Sequence, residues 1–93
     1  MAEMTRELMK QRTKQFALRV IRLVSTLPAT PAWRDIGRQL LRSGTSVGAN
    51  YRAACRARSR AEYISRLGVV EEEADESLFW MELLVAAAMV KPG

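Results

Sequence analysis

Arginine carries most of the chemistry this sequence offers. Arg34, Arg38, Arg42, Arg52 and Arg56 fall on one side of a helix when the residues are turned at about 100° each. Such a column holds phosphates and releases counterions without reading sequence, so it predicts polyanion binding. Arg19 and Arg22 in the preceding segment extend that surface. The other reading pairs the column with the carboxylates of Glu71, Glu72, Glu73, Asp75 and Glu76, within the chain or between subunits. Those carboxylates are also the only cluster able to hold a hard cation such as Mg²⁺, though a solvated acidic face explains them more simply. The chain has no histidine, which removes Ser-His-Asp and Cys-His nucleophiles and the Glu-x-x-His ligand set of di-iron proteins. Cys55 is the only cysteine and lies on an apolar helix face, as a small buried residue would. No enzyme activity, cofactor or metal is expected.

The segment that positions the column is Leu40 to Ala54, LLRSGTSVGANYRAA. Ile36, Leu40, Gly44, Val47, Gly48, Tyr51, Ala54 and Cys55 form its apolar side, so a helix here opposes a greasy flank to a cationic one. Each glycine costs about 1 kcal/mol in a helix, and a loop is the competing reading. A phosphate-cradling loop would need GxxxxGK followed by Ser or Thr, and GTSVG lacks the lysine. As a helix, the two glycines let a neighbour approach the backbone closely.

Three helices account for the chain. The first runs from about residue 5 to 27, with Thr5 as a candidate cap. Its stripe is Met9, Thr13, Phe16, Val20, Leu23, Val24 and Leu27, and Pro28 stops it. Lys10, Lys14, Arg19 and Arg22 lie off that stripe as a solvated face, with nucleic-acid contact as the second reading. Thr30-Pro31 reads as a cap followed by proline in the first turn, starting a second helix over about 31–57, with Trp33 packing across the linker and nucleobase stacking as its second reading. Ser59-Arg60-Ala61-Glu62 matches a capping box, and a third helix follows over about 60–90. Arg58 and Arg60 then cap that corner of the molecule with positive charge. The third helix's stripe is Tyr63, Leu67, Val70, Ala74, Leu78, Met81, Val85 and Ala88. Phe79, Trp80, Leu83 and Leu84 spread apolar surface beyond it and predict a further helix or another subunit there. Ser46 and Asn50, at the border of the second helix's stripe, are expected to hydrogen-bond a neighbouring backbone or fix register, with no catalytic role.

Composition agrees with a small all-α domain. Hydrophobic residues make up 48% of the 93 residues and alternating strand-like runs are missing. Residues 1–60 carry 13 Lys or Arg against 3 Asp or Glu, and residues 61–93 carry 2 against 7. The chain is therefore basic first and acidic last. A domain this short buries only about 60 to 65% of its unfolded surface, so self-association would stabilise it. No stretch is long and apolar enough to span a bilayer, no signal peptide is visible, and the lone thiol suits a reducing cytoplasm.

RSGTSVGANYRAA, Arg42 to Ala54, followed by RSRAEYISRLGVVEEEADESLFWMELL, Arg58 to Leu84, resembles the 23S rRNA intervening-sequence protein family, also called the four-helix-bundle protein family. The resemblance covers about half the chain, and Phe16 to Pro28 also fits the family's first helix and turn. It implies a cytoplasmic, antiparallel up-down helical bundle that forms rings, commonly homopentamers. A related bundle, the accessory variability determinant of diversity-generating retroelements, is a pentamer that binds nucleic acid and a reverse transcriptase. The family pattern continues into a fourth helix where this sequence reads Lys91-Pro92-Gly93, so that helix is expected either outside this sequence or from a neighbour. Together these readings predict a non-enzymatic homo-oligomer binding RNA or DNA through its arginines. The alternative is a scaffold whose arginines pair with the next subunit's acidic face and whose partner is a protein.

Overall fold

Proline and serine set the helix limits. In the computed structural model, which describes residues 2–87 and the side chains of 5–87, α1 spans Ala2–Ser25, α2 spans Pro31–Cys55 and α3 spans Arg60–Ala86. These are the only regular elements among the described residues. Thr5 lies inside α1 and does not begin it. Thr26 and Leu27 close α1 with turn hydrogen bonds to the Leu23 and Val24 carbonyls. Thr30 is extended at the start of α2, but its side chain makes no cap bond; Pro31 in the first turn and the Thr30 carbonyl, which accepts from Arg34 N–H at 2.9 Å, do that work. Ser59 caps α3 by accepting from Glu62 N–H at 3.0 Å, while the Glu62 carboxylate reaches one residue further back than expected, to Arg58 N–H at 3.0 Å. The reach to Arg58, with Arg66 Nε beside it, holds the Glu62 carboxyl below the usual range. The expected end of α3 near Val90, and Ala88 of its stripe, lie outside the described residues.

α2 passes through Gly44 and Gly48 without a break, and it is the middle member of the three. A Cβ at Gly44 would lie 2.8 Å from Val20 Cγ2, one at Gly48 would lie 3.3 Å from Thr13 Oγ1, and one at Gly37 would lie 3.2 Å from Leu27 and Val24. Residue numbers fall on α1 as they rise on α2, so these helices are antiparallel neighbours. The Ser43–Ser77 bond, with Leu40 and Leu84 in one buried cluster, places α3 antiparallel on another side of α2. Among the described residues no Cα of α1 lies within 8 Å of a Cα of α3. Val20, Leu40 and Leu84, one from each helix, form the buried centre.

α3 is turned differently from its apolar pattern. Its buried residues are Ser77 and Leu84, whereas Leu78 and Val85, each one position and about 100° further round, are 50% and 37% exposed. Leu84, expected on an oligomer interface, is instead 0% exposed in the chain's own core. Trp80 and Leu83 are half-buried, Trp80 against that core, and only Phe79 of those four residues is broadly exposed, at 51%. The cause is the seam with α2, which is partly polar. Ser77 donates to Ser43 Oγ at 2.9 Å, and Ser43 donates on to the Leu40 carbonyl at 3.3 Å. Of the two roles open to them, Ser46 and Asn50 both take the backbone bond, and within α2 itself: Ser46 donates to the Arg42 carbonyl and Asn50 to the Ser46 carbonyl.

Candidate nucleic-acid interface

The burial pattern of α2 sorts its residues cleanly. Gly37, Leu40, Ser43, Gly44, Val47, Gly48, Tyr51 and Ala54 are buried, and Arg34, Arg38, Arg42, Arg52 and Arg56 are all exposed on the outward side. Ile36 and Cys55, at the edges of the apolar side, are half-buried. The close approach at Gly48 brings α1 alongside and creates a feature that neither helix has alone. Lys10 and Lys14 of α1 and Arg52 and Arg56 of α2 line one groove of about 760 Å³, with Glu7 its only carboxylate and Thr13 and Gly48 among its walls. Four cations facing a shared concave surface raise the local potential for a phosphate chain more than the same charges spread over a convex one. None of the four makes a side-chain ion pair or hydrogen bond with another described residue.

The column does not act as one surface. Arg42 is turned to α3, where Nη1 donates to Glu73 at 3.1 Å and Nη2 donates to Glu76. Trp80 Nε1 also donates to Glu76, at 3.3 Å. Arg42 is thus a link between α2 and α3, and its charge is largely cancelled. On either side of it the remaining arginines form two groups. Arg34 and Arg38 line a shallow depression beside the α1–α2 linker, with Trp33, Gly37 and Leu41. Arg52 and Arg56 line the α1–α2 groove, and Arg38 and Arg52 are about 21 Å apart along the axis at 1.5 Å per residue.

Arg19 and Arg22 do not extend the α2 surface. Thr13 marks the line where α1 touches α2; Lys14 is about 100° round from it, Arg22 about 180° and Arg19 about 120° in the opposite sense. Arg22 therefore points away from α2. Arg19 lines a separate depression with Arg12, Gln15 and Phe16. The lysines, read from sequence chiefly as a solvated face, are the α1 residues that meet the arginines. A signal for this was present: Thr13 and Gly48 are both small, so the residues flanking them are the ones a close crossing brings together.

At the far end, Arg6 of α1 places its guanidinium carbon 5.2 Å from the centre of the Tyr63 ring on α3. Tyr51 is buried nearby, and its phenol is pushed up to about 12, first by desolvation and then by its hydrogen bond with the half-buried Cys55 thiol. Of the acidic cluster, Glu71, Glu72 and Asp75 face solvent while Glu73 and Glu76 turn to Arg42. Among the described residues no three His, Cys, Asp or Glu side chains converge as a metal site would require. No helix of the described residues is long and apolar enough to cross a membrane.

Comparison with known proteins gives a family and a structural likeness. The family model described as 23S rRNA-intervening sequence protein matches residues 7–92. The chain is similar to a crystal structure of a protein of unknown function from the S23 ribosomal protein family of Bacteroides thetaiotaomicron. The two are 38% identical with a TM-score of 0.82, and the match covers 88% of this chain and 76% of that one. No curated protein matches the chain.

Proposed function

This chain belongs to the 23S rRNA-intervening sequence protein family, and from that premise we propose that it is a non-enzymatic, cytoplasmic helical-bundle protein that binds RNA or DNA through its cationic face. The observation that carries the reading is the α1–α2 groove, where Lys10, Lys14, Arg52 and Arg56 meet with one carboxylate among them. Long, flexible cations of this kind hold phosphates and leave the bases unread, so binding is independent of sequence. Arg34 and Arg38 give the polymer a second point of attachment, and Arg42 takes no part. The protein assembles as an up-down bundle in a ring, a homopentamer as the family resemblance implies. Exposed Ile64, Leu78, Phe79 and Val85 on α3 supply apolar surface for that association.

Filter binding of mixed-sequence RNA and DNA across a salt series tests this. Four neutralised phosphates give a slope of log affinity against log salt of about −3.6 on duplex DNA. Lys14→Glu with Arg52→Glu should flatten that slope and abolish most binding, while Arg42→Ala should leave it unchanged. Absence of binding at low salt refutes the reading.

One observation favours a second reading. The Arg42 bond to Glu73 and Glu76 shows that this chain's arginines and acidic helix fit each other, and Glu71, Glu72 and Asp75 remain exposed. A scaffold in which Arg34, Arg38, Arg52 and Arg56 pair with the next subunit's acidic face, leaving a protein as the partner, would lose its assembly at high salt. Native mass measured across the same salt series separates the two.

A further inference from the structure

The α1–α2 groove does not end at Arg56. Arg56 also lines a second depression, of about 600 Å³, with Arg58, Glu62 and Arg66. Arg58 in turn lines a third, of about 460 Å³, with Arg6, Arg60 and Tyr63. The three are thus linked in series by shared arginines, Arg56 and then Arg58, which mark out one path. It runs along α1 and α2, rounds the corner between α2 and α3, and finishes at the end of the molecule, where side chains of α1 and α3 meet.

Charge along this path is of one sign. Lys10, Lys14, Arg52, Arg56, Arg58, Arg60, Arg66 and Arg6 face two carboxylates, Glu7 and Glu62. Glu62 is already occupied, accepting from Arg58 N–H at 3.0 Å and from Arg66 Nε at 3.3 Å. Arg58 and Arg60 are exposed, and their side chains have no ion-pair or hydrogen-bond partner among the described residues. The far end differs in kind from the start, because the Arg6 guanidinium lies over the Tyr63 ring. A guanidinium plane backed by an aromatic ring is a surface on which an unpaired base stacks.

We propose that the polymer this path takes is single-stranded, its phosphates following the cations around the α2–α3 corner and one extruded base stacking on Arg6 against Tyr63. The proposal rests on the polyanion reading above and goes beyond it by naming the strandedness. The physical ground is stiffness. The molecule is only 21 by 18 Å across its short axes, and a duplex, with a persistence length of about 500 Å, does not turn a corner on that scale. A duplex reaches the straight α1–α2 groove alone. A single strand bends freely and reaches all three depressions.

Fluorescence anisotropy with labelled oligonucleotides about 12 nucleotides long, as single-stranded RNA, single-stranded DNA and duplex DNA, tests this on the full chain. Single strands are expected to bind at least tenfold tighter than duplex at matched salt. Arg58→Ala with Arg60→Ala should weaken single-strand binding several-fold and flatten its salt slope by about 1.4, leaving duplex binding almost unchanged. Lys10→Ala with Lys14→Ala should weaken both. Arg6→Ala should weaken single strands with a much smaller change of slope than the corner pair gives. RNA and DNA strands binding alike means phosphate and base alone are recognised, and RNA binding tighter adds a contact to the 2′-hydroxyl; both support a single-stranded ligand. Equal affinity for strand and duplex, or single-strand binding indifferent to the corner pair, overturns the proposal while the polyanion reading survives. No binding of any probe removes both. Circular dichroism melting of each variant checks that it folds.

Discussion

The close crossing at Gly44 makes a quantitative demand on the fold. A methyl group added there would sit 2.8 and 2.9 Å from the two Cγ atoms of Val20, which is 2% exposed in the centre of the core. Carbon atoms in good contact sit about 3.5 to 4.0 Å apart, so the overlap is more than half an ångström, and valine's stiff side chain cannot swing clear. Overpacking of this kind costs about 1 to 3 kcal/mol, against a gain of about 1 kcal/mol for alanine over glycine in a helix. Gly44→Ala should therefore lower stability by about 1 kcal/mol, or about 4 to 8 °C in Tm for a domain this size. Gly68, where an added Cβ meets nothing within 4 Å, is the control, and Gly68→Ala should gain about 1 kcal/mol. The decisive measurement repeats Gly44→Ala in a Val20→Ala background. There the clashing Cγ atoms are gone and only the residue-20 Cβ, at 3.2 Å, stays close, so the same substitution should lose most of its cost. Urea unfolding followed by circular dichroism at one fixed protomer concentration reads this, since assembly adds stability that depends on concentration. An effect of Gly44→Ala that is equal in both backgrounds within about 0.5 kcal/mol would refute the crossing geometry.

Three further outcomes follow from the packing. A double-mutant cycle of Arg42→Ala with Glu73→Gln and Glu76→Gln should give a coupling of up to about 1 kcal/mol, modest because the guanidinium is half exposed, and added salt should shrink it. The Tyr51 phenol, ordinary when unfolded and pushed up to about 12 when folded, favours the folded chain fully below pH 10; that contribution should fall away between pH 10 and 12, and Tyr51→Phe should remove this part of the alkaline loss in unfolding experiments. Leu84→Ala should cost about 2 to 5 kcal/mol of folding stability, whereas Leu78→Ser and Phe79→Ser should change subunit number in native mass spectra and leave the chain folded.

Much of the fold was legible because its punctuation is local. Pro28 and Pro31 bracket the first connection, Ser59 and Glu62 mark the start of α3, and the small residues of α2 announce a close neighbour. The rotation of α3 was not legible, and for a physical reason. From Leu78 onward that helix is apolar on nearly all sides, so its own periodicity does not choose a buried face. Its partner chooses: Ser43 accepts from Ser77 and Arg42 donates to Glu73 and Glu76, so polar residues of α3 turn toward α2. The same logic explains Arg42, which belongs to the column by angle and to α3 by contact. Lys10 and Lys14 were visible as cations from the start. Their partnership with Arg52 and Arg56 required knowing that α1 crosses α2 at Thr13 and Gly48.

The two hydroxyls joined at the centre of the α2–α3 contact have a consequence for how uniquely this chain folds. Grease alone would let α3 slide or roll by a turn with little loss, because its later half presents similar hydrocarbon in most directions. Any such slip parts the two hydroxyls, leaving Ser77 on the Glu73 carbonyl and Ser43 on the Leu40 carbonyl of their own helices, and forfeits the bond between them, about 0.5 to 1.5 kcal/mol. A pair of small alcohols thereby serves as an alignment pin, favouring one docking of the helix over its near-equivalents by the bond they share.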